Sequence, residues 1–496
     1  MKLLKNKKTL MYIIFIWISI FAIGLVNKTF LNDTFYTIKI GEYISNNGID
    51  MLDHFSFHNI AYTYPHWLYD TFIYFIYKIG GFTGIYISTI CLFLILLFSV
   101  YKTSIKLTNK ITISAFASVF CALASGSFIT ARAQLLTYIL FVLEILCLEM
   151  FTKTEKKKYG IFLFLISLLI CNIHVAVWPF FFILFLPYLA EAIISKIRGR
   201  NSFIRKTKDK FLVENINIKP ILIIMLLCIL TGLLTPIKDT PYTYLIKTMM
   251  GNSQEYIKEH QMVNLTQSIF TIIIVVETMF LALFNKAKMR DIFLILGLSF
   301  MSIISIRHIA LLGVIGSICF ARTFSIFTER LNFDIDEKIL EFLKKKIVIL
   351  ISFILVISFA IFMMNKQLKK PYVDPLSYPT EAVKFIKKNL DYKNIRMFND
   401  YNYGSYLLFN DIPVFIDSRA DLYTKEFSGL ERDIFDDYEY SVRKYDEVME
   451  YYDFTHAMTI TGTEIYQKIS SDKKYKNIYT DPVFSVFEKV GENTNE

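Results

Sequence analysis

The feature that most constrains this chain is a series of apolar blocks. Stretches sparse in charge recur at 9–26, 84–101, 112–129, 134–151, 160–173, 178–195, 219–236, 267–284, 290–306, 308–326 and 346–364. Most are 17–20 residues long, close to what a helix needs to cross a bilayer core about 30 Å thick. Composition agrees. Hydrophobic residues make up 54%, charged residues 20%, and mean hydropathy is +0.43, against roughly 25% charge in a soluble domain. A disordered chain, a coiled coil, a soluble enzyme and a disulfide scaffold are excluded. The expected fold class is a polytopic α-helical membrane protein with about 11 transmembrane helices and a small C-terminal extracytoplasmic α/β domain.

Charge sets the expected orientation. MKLLKNKK opens the chain on the basic side, and no small-residue cleavage site follows block 9–26, so this block reads as a first span rather than a cleaved signal. Loops expected inside carry Lys102, Lys106 and Lys110; Lys153 and Lys156 to Lys158; a dense run from Lys196 to Lys219; Lys286, Lys288 and Arg290; and Arg330 to Lys346. The alternate loops carry few basic residues. By the positive-inside rule the N-terminus is cytoplasmic, and an odd number of spans puts the C-terminus outside. The inside lysines read as solvated topology signals. The formal net charge of +10 therefore reflects topology and contact with anionic lipid, not nucleic-acid binding. Residues 67–79 (WLYDTFIYFIYKI) are too short to cross. They read as an aromatic-rich helix that lies at the outer membrane surface or re-enters it.

The division expected along the chain is a membrane domain over 1–365, with a large first outer loop at 27–83, and an outer domain over 366–496. The latter carries 18 basic and 23 acidic residues. A helix is expected at 379–390 and another at 442–452. Short strands are expected at 395–398, 413–416 and 456–460, and a terminal strand pair at 475–479 and 483–489. This alternation implies an α/β fold. NDYNYGSYLLF (399–409) and PVFIDSRADLY (413–423) each follow a strand, where such folds place binding groups. Asp417, Arg419 and Asp421 read either as substrate contacts or as a structural ion-pair network.

The most informative stretch is 31–70, LNDTFYTIKIGEYISNNGIDMLDHFSFHNIAYTYPHWLYD. It holds Asp33, Glu42, Asp50, Asp53 and Asp70, with His54, His58 and His66. Asp33 follows the first block by about seven residues, which places a carboxylate at the membrane boundary. There it can meet the headgroup of a lipid-linked substrate, and a general base must reach the proton it removes. His54, His58 and His66 match no standard zinc spacing.

An Asp just after the first span, then Tyr36, a helix with Glu42, Gly48, the DHFS segment (53–56) and a Trp-containing surface helix (HWLYD, 66–70) resemble the first-loop pattern of GT-C-fold glycosyltransferases. That superfamily includes protein O-mannosyltransferases and the aminoarabinose transferases of lipid A. The likeness lies mainly in residues 1–200. It implies an integral membrane glycosyltransferase that moves a sugar from a polyprenyl-phosphate carrier to an envelope acceptor (glycan, lipid or protein) on the outer face. By position it gives Asp33 the role of catalytic base or acceptor-orienting group; Asp53 and His54 are further catalytic candidates, and Tyr36, Glu42, His66 and Trp67 are expected on the substrate. Members often show paired acidic residues at the first site. Here Asn32 and Thr34 flank Asp33, so a divalent metal stays open as cofactor and no metal ligand is assigned.

Further polar groups are expected on the same face. Arg132 sits in SGSFITARAQLL, His174 in CNIHVAVW, and Arg307 with His308 in SIRH; Glu259 lies in the longest later outer loop. An Arg at this depth suits a carrier phosphate, to which it can donate paired hydrogen bonds, or it serves as a snorkelling anchor. No nucleotide-binding loop occurs. Two other classes fit less of the pattern. A lipid or polysaccharide transporter or flippase favours repeats and mid-membrane charge; no repeat is seen, and Glu277 is the main mid-block carboxylate. A non-enzymatic envelope assembly protein would act through the outer domain and has no need of the acidic first loop.

Overall fold

The computed structural model describes residues 7–200, 212–251, 269–284, 287–343 and 345–490. Each of the eleven apolar blocks forms a helix or part of one. In chain order the helices are α1 (Lys7–Ile23), α2 (Asn32–Asn47), α3 (Trp67–Thr108), α4 (Ile111–Ser125), α5 (Ala133–Thr154), α6 (Lys157–Ile173) and α7 (Trp178–Arg200). There follow α8 (Ile218–Ile229), α9 (Thr240–Met250), α10 (Ile269–Phe284), α11 (Met289–Ile304), α12 (Ile309–Arg330), α13 (Ile335–Leu343), α14 (Lys346–Leu368), α15 (Thr380–Asn389) and α16 (Tyr401–Phe409). Among the described residues six helices are long and apolar enough to cross a membrane, and three shorter apolar helices accompany them.

The aromatic block 67–79 forms a helix of its own at the start of α3: Gly81 takes the non-helical φ 56° and ψ −152°, and two helices meet there, a conformation that suits a residue without Cβ.

The chain divides into two compact units. One comprises Met1–Lys28, Tyr86–Thr235 and Lys258–Lys369; the other comprises Thr29–Ile85, Pro236–Ile257 and Lys370–Glu496. The first outer loop is therefore grouped with the C-terminal segment, which the linear division at 365/366 does not express.

The helical unit is built around α12, whose apolar window is 89% buried. Small residues explain its central place. A Cβ on Gly313 would lie 2.7 Å from Ala124 Cβ of α4, and one on Gly316 would lie 3.1 Å from Ile274 of α10. Apolar helices approach this closely only where side chains are small. Helix α14 is the opposite case, with only 6% of its window buried; it leans on α1 through stacked Phe21 and Phe359. Asp336 of α13 accepts backbone N–H bonds of 2.8 Å from Ile111 and Thr112. It thereby satisfies donors at the start of α4 that have no partner within the helix.

In the second unit, β1 (Met397–Phe398), β2 (His456–Ile460), β3 (Tyr475–Thr480) and β4 (Phe484–Lys489) form one sheet in the order β1-β2-β4-β3. β1 and β2 are parallel; β4 is antiparallel to both its neighbours. The strand expected at 413–416 is reduced to single bridges at Val414. Val414 pairs with Met397 on one side and with Ser56 of the first loop on the other. The loop thus extends the C-terminal sheet. Aromatic packing finishes the join: Phe35 of α2 sits edge-on to Tyr378 and Tyr406, and the Phe30 N–H donates to the Tyr372 carbonyl at 2.9 Å.

Candidate active site

Asp33 lies in the first turn of α2. A carboxylate there meets the positive end of the helix dipole. Its side chain is half-buried, and Tyr36, one turn on, is buried. α2 is held by Phe35, Ile38 and Ile40, all buried, and by a close approach at Gly41. A Cβ there would fall 2.0 Å from the Asp70 carbonyl oxygen of α3. Glu42 accepts from Lys39 at 2.7 Å, and Lys39 also bonds Asp411 at 2.6 Å. Burial alone would lower the Lys39 pKa, but these two carboxylates raise it.

Asp53, expected at the chemistry, is buried in an ion-pair network. Arg419 donates to Asp53 at 2.6 Å and to Asp417 at 2.6 Å, and all three side chains are buried. The other Asp53 oxygen accepts from the Ser56 N–H at 2.9 Å and from its hydroxyl. Tyr423 donates to Asp417 at 2.6 Å, and the guanidinium lies over Tyr62, 5.0 Å from the ring centre. Burial opposes ionisation of Asp53, yet the Arg419 charge and the Ser56 bonds outweigh it and hold its pKa down. One buried cation is thus shared by two buried carboxylates. For Asp417 and Arg419 this geometry fits the ion-pair-network reading. Asp421 stands apart and accepts from Tyr244 at 2.7 Å.

His54 differs. It is exposed, its Nε2 lies 2.6 Å from Asp50 Oδ2, and its ring stacks on Tyr43 with centres 4.5 Å apart. Tyr43 donates to the same oxygen at 2.7 Å and Tyr64 to the other at 3.2 Å. Burial pushes the Asp50 carboxyl up, but bonds from Tyr43, the Leu52 N–H and His54 bring it down to about 2. An ionised Asp50 orients His54 as a carboxylate orients a catalytic imidazole. His58 points elsewhere, with Nε2 donating to the Phe415 carbonyl at 2.8 Å. His66 begins the turn into α3, where its carbonyl accepts the Asp70 N–H at 2.9 Å, and half-buried Trp67 is the first residue of α3. The three histidines do not converge, and among the described residues no group of three His, Cys, Asp or Glu could hold a metal.

The helical unit positions Arg132, His174, Arg307 and His308 in a shared way. Each lies in a short turn joining two apolar helices, and each turn contains a 3₁₀ segment: Gly126–Phe128, Val175–Val177 and Ile306–His308. Arg132 and His174 border α5 and α6. His308 packs on Phe180, ring centres 4.8 Å apart. His174 is buried; the two arginines and His308 are half-buried.

These turns lie at one end of the unit because a charge cluster fixes the other end. Arg290, at the start of α11, pairs with Glu149 near the end of α5 at 2.8 Å, Glu191 near the end of α7 at 3.2 Å, and Glu214 at 2.6 Å. Arg322 of α12 bonds Glu149 and Asp291. Lys288 reaches Glu214 at 2.9 Å. α5 and α7 therefore run antiparallel to α11. At 1.5 Å per residue, the turns with Arg132, His174 and Arg307 are a helix length away from the cluster. The reading of Lys288 and Arg290 as solvated loop charges is corrected: Arg290 is fully buried. The missed signal was the set of carboxylates inside apolar blocks, Glu149 and Glu191, which must find cations. Glu259 lies outside the described residues.

No known family profile matches the chain, and no curated protein matches it in sequence. Solved structures do. ArnT from Cupriavidus metallidurans, bound to undecaprenyl phosphate, aligns with TM-score 0.57 at 8% identity over 97% of this chain and 98% of that one. The apo oligosaccharyltransferase of Archaeoglobus fulgidus aligns with TM-score 0.58 at 8% identity, over 98% and 75% of the two chains. The same archaeal enzyme, AglB, in complex with an inhibitory peptide and a dolichol-phosphate gives 0.57 at 8% over 92% and 70%. At this identity the likeness is one of fold: the chain folds as these solved structures do.

Proposed function

We propose that this protein is an integral membrane glycosyltransferase that takes its sugar from a polyprenyl-phosphate carrier and gives it to an envelope acceptor on the outer face. The observation that carries the reading is the fold likeness over nearly the whole of both chains to a protein solved with undecaprenyl phosphate. In this reading Asp33 removes the proton from the acceptor nucleophile. The acceptor atom bonds the sugar's anomeric carbon as the bond from that carbon to the phosphate oxygen breaks. Polyprenyl phosphate leaves with the electron pair. The sugar is already activated by its phosphate, so positioning and charge compensation are the protein's main tasks. Arg132 and Arg307, with His174 and His308, offset the phosphate charge. His54, oriented by Asp50, faces the acceptor, with Tyr36, Glu42, His66, Trp67 and Glu259 as further contacts. Asp53, Asp417 and Arg419 act by holding the loop. In this reading the N-terminus is cytoplasmic and residues 366–496 lie outside, which the distribution of basic loops supports.

The test is mass spectrometry of envelope glycolipids, polymers and surface proteins from a deletion strain complemented with wild type or Asp33→Asn at matched protein level. A sugar-sized modification that wild type restores and the variant does not supports the assignment, and its carrier identifies the acceptor. Identical glycans in both strains reject it and turn attention to transport, beginning with half-buried Glu277 of α10.

A further inference from the structure

Helix α9 carries a face that nothing in the proposed chemistry uses. Leu245, Ile246, Met249 and Met250 recur at the spacing of one helical face and are 40–71% exposed. The opposite face is docked. Tyr244 is buried, donates to Asp421 at 2.7 Å, and packs edge-on against Phe427 with ring centres 5.0 Å apart. Lys247 lies over the same Phe427 ring at 5.6 Å. The helix holds no acidic residue.

We propose that α9 is an interfacial helix whose Leu245, Ile246, Met249 and Met250 stripe inserts among lipid acyl chains, with Lys247 at headgroup level. Three observations favour lipid as the occupant. The helix begins six residues after Leu234, at the end of an apolar segment whose Leu233 and Leu234 are themselves exposed. Six residues reach at most about 20 Å, so the chain cannot carry α9 far from the bilayer surface. The same unit bears a second exposed apolar stripe, Phe72, Phe75 and Ile79 of α3, in the segment whose aromatic pattern already marks an interface. The single cation complements anionic headgroups, as basic interfacial helices do. Two stripes on one unit would hold it at the depth of a lipid headgroup whatever reaction the protein performs.

The test is site-directed spin labelling of the full chain in vesicles of phosphatidylcholine and phosphatidylglycerol. Cys91 is the one exposed cysteine, so Cys91→Ser gives the background. Nitroxides are placed through Leu245→Cys, Ile246→Cys, Met249→Cys and Met250→Cys, with Lys384→Cys, exposed on α15 of the same unit, as the control off the stripe. Collision with oxygen, which partitions into lipid, is compared with collision with a water-soluble nickel chelate. The proposal requires oxygen to dominate at the four stripe positions and the chelate to gain at Lys384. Chelate dominance on the stripe means that it faces water and overturns the proposal. Protection from both reagents means that protein covers it, either a second copy or another part of this chain, and overturns it equally.

Discussion

Arg419 does more for the second unit than its single charge suggests. It neutralises Asp53 from the first loop and Asp417 from the C-terminal segment, so its removal leaves two buried carboxylates without a cation. Breaking such a pair costs about 3–5 kcal/mol. Arg419→Met is therefore expected to lower the thermal midpoint of the purified protein sharply, and Arg419→Lys to recover only part of it, because one ammonium cannot serve both carboxylates with the same fork. Differential scanning fluorimetry checks both. His58 gives a pH prediction. Burial lowers its pKa from the ordinary 6.5 to about 4, against the opposing bond to the Phe415 carbonyl. Between those values the unfolded chain binds the proton more strongly, so stability is full above about pH 6.5 and falls as pH drops toward 4. Asp53, held below the usual carboxylate range, adds its own loss only at still lower pH. His58→Gln should flatten the midpoint between pH 6.5 and 5; an unchanged slope would discount His58. Asp53 and His54 are neighbours of similar promise in sequence. Their different fates depend on Arg419, 366 residues beyond Asp53, which no local pattern reveals.

At the scale of elements, the helices were the legible part. Eleven apolar blocks became helices because a 17–20-residue apolar run in a bilayer can satisfy its backbone only internally. The helix at 380–389 and the strands at 456–460 and 475–489 followed from their periodicity. The stretch at 413–416 did not become a strand: Asn399 takes up its backbone instead, donating to the Ile416 carbonyl at 2.7 Å and accepting the Phe415 N–H at 2.8 Å. Gly404 lets α16 lie against this segment, since a Cβ there would sit 2.0 Å from the Ile416 oxygen. Gly404→Ala must push the helix away and is expected to cost about 1–3 kcal/mol, read as a lower thermal midpoint. Helix α9 is not expected from the sequence, because its apolar spacing is short and lies in a loop marked mainly by charges.

The whole molecule is two units with different sources of stability. The unit that holds residues 370–496 rests on an aromatic core and the Arg419 hub. The helical one is pinned at one end by three cations and four carboxylates. Arg322→Met removes a cation shared by Glu149 and Asp291 and should sharply reduce the folded fraction surviving heat in detergent. Exposed Lys156→Ala should leave it unchanged; fluorescence-detected size exclusion after heating distinguishes them. The candidate residues Arg132, His174 and Arg307 then fall at the end opposite this cluster. The fold class was legible because membrane topology is written in local composition. The pairing of the first loop with residues 370–496 was not, because it rests on contacts more than 300 residues apart.

If Asp33 is the base, sugar transfer from a lipid carrier depends on its carboxylate. The most direct measurement is the rate at which the purified, reconstituted protein releases polyprenyl phosphate from a lipid-linked sugar pool extracted from the native membrane, in the presence of its envelope fraction. Wild type should release it, and Asp33→Asn should do so about 10²–10⁴-fold more slowly, the contribution of a positioned general base, while still binding the donor. Equal rates from the two proteins, or no release by wild type from any donor in the pool, would contradict the claim.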